Sequence, residues 1–296
     1  MSELAKQTVS SNTGSDESLD IASQWILECI SNHKHCNRAA KPTNVETPLP
    51  TRLLYIGTLG DQSVRLCNTN LLPDVTQYMT LSHCWGQLQL TTLTNSNIAT
   101  FQEGLATSKL PKTFRDAIYV AQKMSVQYIW IDSLCIIQDA EDDWTKESAH
   151  MMSVYAGAFC NIAATAAPDA RTGLFFDRDV SIPRARVLEI PPRPVCPPFQ
   201  SFLIKLFRSL KAIPKATVNR MVRKGWFKSK ASFHLDLQNV PFFETGKYSI
   251  EGLGLYGRDL HTSPLMKRAW VLQEQLLAKR TLHFTSTQVY FGCQEQ

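Results

Sequence analysis

The chain has 296 residues, of which 44% are hydrophobic and 19% charged, with a formal net charge of +5; this suits one or two globular domains and excludes a low-complexity or disordered chain. It holds no run of eighteen apolar residues, and its start, MSELAKQTVSSNTGSDESLD, has neither a basic region nor an apolar one, so a membrane span and a secretory leader are disfavoured and a cytoplasmic location is expected. Eight cysteines (Cys29, Cys36, Cys67, Cys84, Cys135, Cys160, Cys196 and Cys293) include no C-x-x-C pair and read as thiols in a reducing compartment, several of them in the core.

Residues 1–19, rich in Ser, Asn, Asp and Gly without periodic apolar positions, read as a disordered lead-in. Residues 20–36 read as a helix with Ile21, Trp25, Ile26, Cys29 and Ile30 on neighbouring faces. The Pro-containing stretch 42–50 breaks it, and 52–56 reads as a short strand, so 20–77 forms an N-terminal extension. On the helix, Cys29, His33 and Cys36 fall at i, i+4 and i+7, with His35 nearby. Thiolate and imidazole at that spacing suit zinc, but a tetrahedral site needs a fourth ligand and more usually loop-borne spacings, so a non-metal face is expected and no metal is assigned.

The main domain is expected at 78–296. A strand ends near Leu81 and turns through Ser82-His83-Cys84-Trp85-Gly86; the polar region 91–108 has no assignable element. Thr113 and Asp116 form a capping-box-like pair ahead of a helix at 113–124, with Phe114, Ala117, Ile118 and Ala121 at helical spacing. Tyr128-Ile129-Trp130-Ile131 is a continuous apolar run, as in a parallel strand buried on both faces. Asp139 to Asp143 supply N-cap candidates for a helix whose core stripe is expected to be Trp144, Ser148, Met151, Met152 and Tyr155, and a strand follows at 159–165. This alternation predicts an α/β domain with a mostly parallel sheet.

A basic insertion follows at 181–263. Residues 181–230 carry twelve Lys and Arg against one acid, Glu189, leaving nineteen bases and twenty-five acids for the remainder, so a basic segment is attached to a mildly acidic body. Within it Phe199, Phe202, Leu203, Leu206, Phe207 and Leu210 share one helical face, with Lys205, Arg208 and Lys211 opposite. The segment 199–211 suits either core packing or an anionic membrane surface, and no motif points to nucleic acid. Pattern returns at 268–278 as a helix, then at 281–284 and 288–291 as a C-terminal hairpin; an end so close to that hairpin suggests a fragment or a truncated gene model.

In parallel sheets ligands sit beyond the strands' carboxyl ends. That places Ser82, His83, Trp85, Asp132 and Gln138 as candidate ligand-binding residues around one pocket, against the alternative that Ser82 and Asp132 bond nearby backbone N–H groups. Glu147 borders the core-facing stripe; a carboxylate desolvated there suits proton transfer, and complementing the helix dipole is its structural alternative. Arg268 and Glu274 join the ligand-binding candidates, Arg268 either holding a phosphate or pairing with Asp132 or Glu147. Ser82, His83 and Cys84 adjoin in sequence, but no G-x-S-x-G elbow accompanies them, so a nucleophilic hydrolase is disfavoured.

The blocks YMTLSHCWG, LPKTFRDAIYVAQ, YIWIDSLCIIQD, DDWTKESAHMMSVYAGA and RAWVLQEQLLAKRTLHF resemble, in order, those of the fungal heterokaryon-incompatibility (HET) domain, with His83 where Tyr is commoner. They occupy 78–178 and 264–293. The resemblance implies a fungal protein of non-self recognition and programmed cell death, acting by self-association and contact with another incompatibility protein. The HET domain is in turn remotely similar to Toll/interleukin-receptor (TIR) domains. That similarity implies a mostly parallel, flavodoxin/TIR-like sheet flanked by helices, with NAD as a candidate substrate and Glu147 as the catalytic residue of a glycohydrolase. TIR enzymes often carry Trp-Cys-x-x-Glu, whereas this chain has Trp144-Thr145-Lys146-Glu147, one residue shorter. No cofactor is otherwise implied.

Overall fold

The computed structural model describes residues 10–37, 49–74, 76–86, 91–178, 186–190, 246–250, 259–268 and 270–295. They fall into two units, Met1–Pro183 with Gly252–Gln296, and Arg184–Glu251.

In the first unit β3 (Met79–Ser82), β5 (Tyr128–Trp130), β6 (Cys160–Ala163) and β9 (Arg280–Phe284) lie side by side and parallel, in the order β9-β6-β3-β5. Nearly every residue in them is buried; Tyr128–Trp130 is an unbroken apolar run, while the other three also bury polar residues such as Thr80, Asn161 and His283. The expectation of a mostly parallel, flavodoxin-like sheet is nevertheless corrected. The full sheet has eight strands and is mixed, in the order β10 (Val289–Cys293), β9, β6, β3, β5, β1 (Arg52–Tyr55), β2 (Ser63–Asn68), β4 (Leu105–Ala106), and four of its seven pairings are antiparallel. Link length is the physical reason. The short connection between β1 (Arg52–Tyr55) and β2 (Ser63–Asn68) has no room for a crossover, so these strands form a hairpin. β1 then adds antiparallel to β5, and β4 (Leu105–Ala106) extends that edge. At the other edge β10 (Val289–Cys293) folds back on β9 as the expected hairpin, with Val289 opposite Phe284.

Helices pack on this sheet, but several of their expected boundaries move. α1 (Asp16–Asn32) starts earlier than predicted, because Ser15 caps it by accepting from the Ser18 N–H, and residues 10–15 are already engaged, Asn12 bridging to Asp177. α2 (Lys34–Asn37) follows, and α3 (Ile98–Glu103) fills the region left unassigned. α4 (Lys112–Lys123) has Pro111, not Thr113, at its N-cap. The Thr113 hydroxyl instead accepts from the Gly173 N–H at 3.0 Å and Asp116 from the Leu174 N–H at 2.8 Å, so the supposed capping pair anchors a distant loop.

α5 (Asp132–Cys135) is a single turn, and α6 (Glu141–Gly157) begins without a side-chain cap. Asp139 accepts from Asn95, and Asp143 pairs with Arg52 and accepts from the Ile137 N–H, so both tie the helix start to other elements. The buried residues of α6 are Glu147, Val154 and Tyr155; of the predicted stripe Tyr155 is buried and Ser148 and Met151 are half-buried, but Trp144 and Met152 are 50% and 56% exposed. Tyr155 sets this rotation by packing edge-on against Trp130 at 5.8 Å, while the Tyr78 hydroxyl donates to the Val154 carbonyl. Glu147, two turns before Tyr155, is therefore carried into the core. α7 (Val271–Leu277) packs on α6 and leads into β9. The core centres on Trp130, Tyr78, Tyr155, Phe114 and Phe284.

In the second unit β7 (Arg186–Ile190) pairs antiparallel with β8 (Gly246–Ile250), Arg186 opposite Ile250. The basic segment 199–211 lies outside the described residues. Among the described residues no helix is long and apolar enough to cross a membrane.

Candidate functional site

Because β3 and β5 are parallel, with Thr80 opposite Trp130, their carboxyl ends deliver Ser82 and Asp132 to the same edge of the sheet. Asp132 opens α5, and its carboxylate accepts from the Ser133 N–H at 2.7 Å and from the Trp85 indole N–H at 2.9 Å. Trp85 can reach it because the chain turns sharply at Gly86. There φ is +74°, and a β-carbon would lie 2.7 Å from that of Asp169, so only glycine fits without displacement.

Arg268 enters from the turn after Leu265–Lys267, which is seated by burial of Leu265 beside Cys84, Ala163 and Val271. Its guanidinium lies 3.8 Å from the Asp132 carboxylate and 3.7 Å from that of Glu274 on α7, and donates to the His83 carbonyl oxygen. One cation thus joins three sequence blocks that begin nearly two hundred residues apart. His83 stands 3.7 Å from Asp132, edge-on to Phe114 at 4.9 Å, and neither ring nitrogen makes a well-formed hydrogen bond. Beneath them Asn161 accepts from the Thr80 hydroxyl at 3.0 Å and bonds the Ser82 hydroxyl.

Most of the candidates therefore converge: Ser82, His83, Trp85, Asp132, Arg268 and Glu274 form one cluster. Gln138 sits at its margin and spends its amide on the carbonyls of Asp132 and Ile136, bracing the α5 turn. Glu147 is only 1% exposed, one of its oxygens has no hydrogen-bond partner, and among the described residues no ion pair or hydrogen bond ties it to Asp132, Arg268 or Ser82. Asn161 is the residue that sequence reasoning missed. Its only sequence signal is an amide in an otherwise apolar strand, which must find partners when buried.

The electrostatics follow from two carboxylates sharing one guanidinium in a dry setting. Burial pushes the Glu274 carboxyl above its ordinary value and Asp132 adds to the rise, while Arg268 and Ser82 oppose it. Burial lowers His83, Asp132 opposing and Arg268 assisting, so the imidazole is kept neutral. Ser82 is fully buried and bonded to Asn161, and burial raises the Cys84 thiol, so neither offers an activated nucleophile.

A family model described as "Heterokaryon incompatibility protein (HET)" matches residues 78–274, an interval running from the strand that presents Ser82 to Glu274 itself. No curated protein and no solved structure matches the chain.

Proposed function

The chain belongs to the heterokaryon incompatibility family, and on that premise we propose that it is an effector domain of fungal non-self recognition, promoting programmed cell death through self-association and contact with another incompatibility protein. The observation that carries this reading is apolar surface on two helices that pack together. Trp144 and Met152 on α6, Trp270 at the start of α7, and Leu272 and Leu276 along it are each at least half exposed. Large apolar side chains left in water on adjoining elements favour a protein partner. The Asp132–Arg268–Glu274 cluster then acts as the lock that holds α7 against the sheet and so positions this surface.

The test is sedimentation of the purified chain over a concentration series, beside cell killing on expression, for wild type and Trp144→Glu/Leu276→Glu. Loss of both association and killing in a folded variant supports the reading; a wild type that kills while monomeric at every concentration overturns it.

A second reading, a TIR-like NAD(P) glycohydrolase that depletes its substrate, is favoured by one observation: Glu147 and Glu274 are buried carboxylates, each with an oxygen lacking a partner, and Glu274 lies beside the cation Arg268. In that reading Glu147 supports cleavage of the nicotinamide bond while Ser82, Asp132 and Arg268 position ribose and phosphate. Nicotinamide release from NAD by the purified chain, lost in Glu147→Gln, supports it; no release sinks it. Attachment of 199–211 to anionic membranes is a further proposal, read by salt-sensitive binding to anionic liposomes.

A further inference from the structure

Away from the Asp132 cluster, four side chains from distant parts of the sequence meet: Cys29 on α1, His33 just past its end, Cys36 on α2 and Cys293 at the end of β10. One donor atom from each lies within 4.8 Å of all the others, and His33 Nδ1 is 3.3 Å from Cys293 Sγ. We propose that these four residues hold a zinc ion in a tetrahedral Cys3His structural site.

The donor set selects the metal. Three thiolates and an imidazole, with no carboxylate among them and no ligand position left open, suit zinc and not magnesium or calcium. Zinc–sulfur bonds of about 2.3 Å place tetrahedral ligands about 3.7 Å apart, so the widest pair closes by about 1 Å, within reach of side-chain rotation. The spacing objection also disappears. α1 ends at Asn32, and His33 is extended (φ −92°, ψ 109°) before α2 resumes at Lys34, so the i, i+4, i+7 set straddles a break and is not one rigid helix face.

The surroundings complete the site. Three thiolates outweigh a divalent ion by one negative charge, and Arg280 supplies the compensation: its Nε lies 3.3 Å from Cys29 Sγ and its Nη2 3.5 Å from the Cys36 carbonyl oxygen. Cys29 and Cys36 are buried, whereas His33 and Cys293 are half-buried, which leaves a side from which an ion can enter. The ion would fasten the N-terminal helix to the outermost strand of the sheet, where Trp25 already stacks on Phe291 at 6.4 Å, and so cover an edge otherwise open to pairing with another chain.

The experiment is elemental analysis of the full chain purified without chelator, together with the visible spectrum of the cobalt-substituted wild type, which reads the site without any substitution. About one zinc per chain, charge-transfer bands of a thiolate-bound tetrahedral cobalt, loss of the metal in Cys36→Ser/Cys293→Ser and its retention in Cys67→Ser are expected. Removing zinc with a chelator lowers Tm in the wild type. A folded, zinc-free wild type whose Tm is indifferent to added zinc overturns the proposal, as does a disulfide between any two of Cys29, Cys36 and Cys293, or zinc that persists when Cys36 and Cys293 are both replaced.

Discussion

Replacing Arg268 by Ala removes, among the described residues, the cation shared by Asp132 and Glu274. At 3.8 and 3.7 Å each attraction is about 4 kcal/mol before desolvation at the effective permittivity of a protein surface. Arg268 is 22% exposed and both contacts exceed hydrogen-bond length, so the net loss belongs at the low end for breaking a buried pair, about 3 kcal/mol. For a chain of this size that is about 5 to 10 °C in Tm. The pH dependence separates this cause from simple loss of packing. A carboxyl whose pKa is higher folded than unfolded binds its proton more tightly in the folded state, so it stabilises below the unfolded value and that contribution is lost as pH rises through the folded one. Glu274 is already raised, and losing Arg268 removes a charge that opposes the rise. The deficit of Arg268→Ala should therefore be largest at neutral pH and shrink as pH falls toward the unfolded glutamate value, and Glu274→Gln should restore part of it at neutral pH. Urea unfolding of wild type, Arg268→Ala and the double variant across this range is the assay. A deficit below about 1 kcal/mol, or one that does not change with pH, would refute the reasoning.

Three further outcomes are expected. Gly86→Ala should cost at least about 1–2 kcal/mol, since it forces a left-handed conformation on alanine and sets a β-carbon 2.7 Å from that of Asp169; an unchanged urea midpoint would mean the turn relaxes freely. Burial holds His283 down to about 4, so the folded state resists its protonation. Its contribution is complete above the ordinary histidine value and is lost as pH falls from about 6.5 toward 4, by about 3 kcal/mol; His283→Gln should flatten that limb of the pH–stability curve, and an identical limb would rule His283 out as its source. Glu147→Met should raise stability by about 1 kcal/mol, because it removes a buried polar group with an unpartnered oxygen; a fall in Tm would reveal a partner for that carboxylate.

The family and the middle of the fold were legible in the order of residues alone. The apolar run at 128–131 and the largely apolar stretch at 159–165 point to strands buried on both faces, and the helical spacing after Thr113 to a helix packed on that sheet. The meeting of Ser82, Trp85 and Asp132 was legible for the same reason, since parallel strand ends fix where the following turns emerge, whereas Arg268 and Glu274 arrive from a turn and helix that precede β9. Tertiary packing decided what local pattern leaves open. Trp144 and Met152 look like core until Tyr155 docks on Trp130 and turns the helix, burying Glu147 in their place. Asp116 and Asp139 look like helix caps until loops from elsewhere supply better donors. Whether an edge strand runs parallel depends on which neighbour its hairpin meets, and the fourth member of the Cys29–His33–Cys36 set is supplied by a strand more than 250 residues away. Periodicity encodes which groups must leave water, and only the folded chain decides which distant groups they meet when they do.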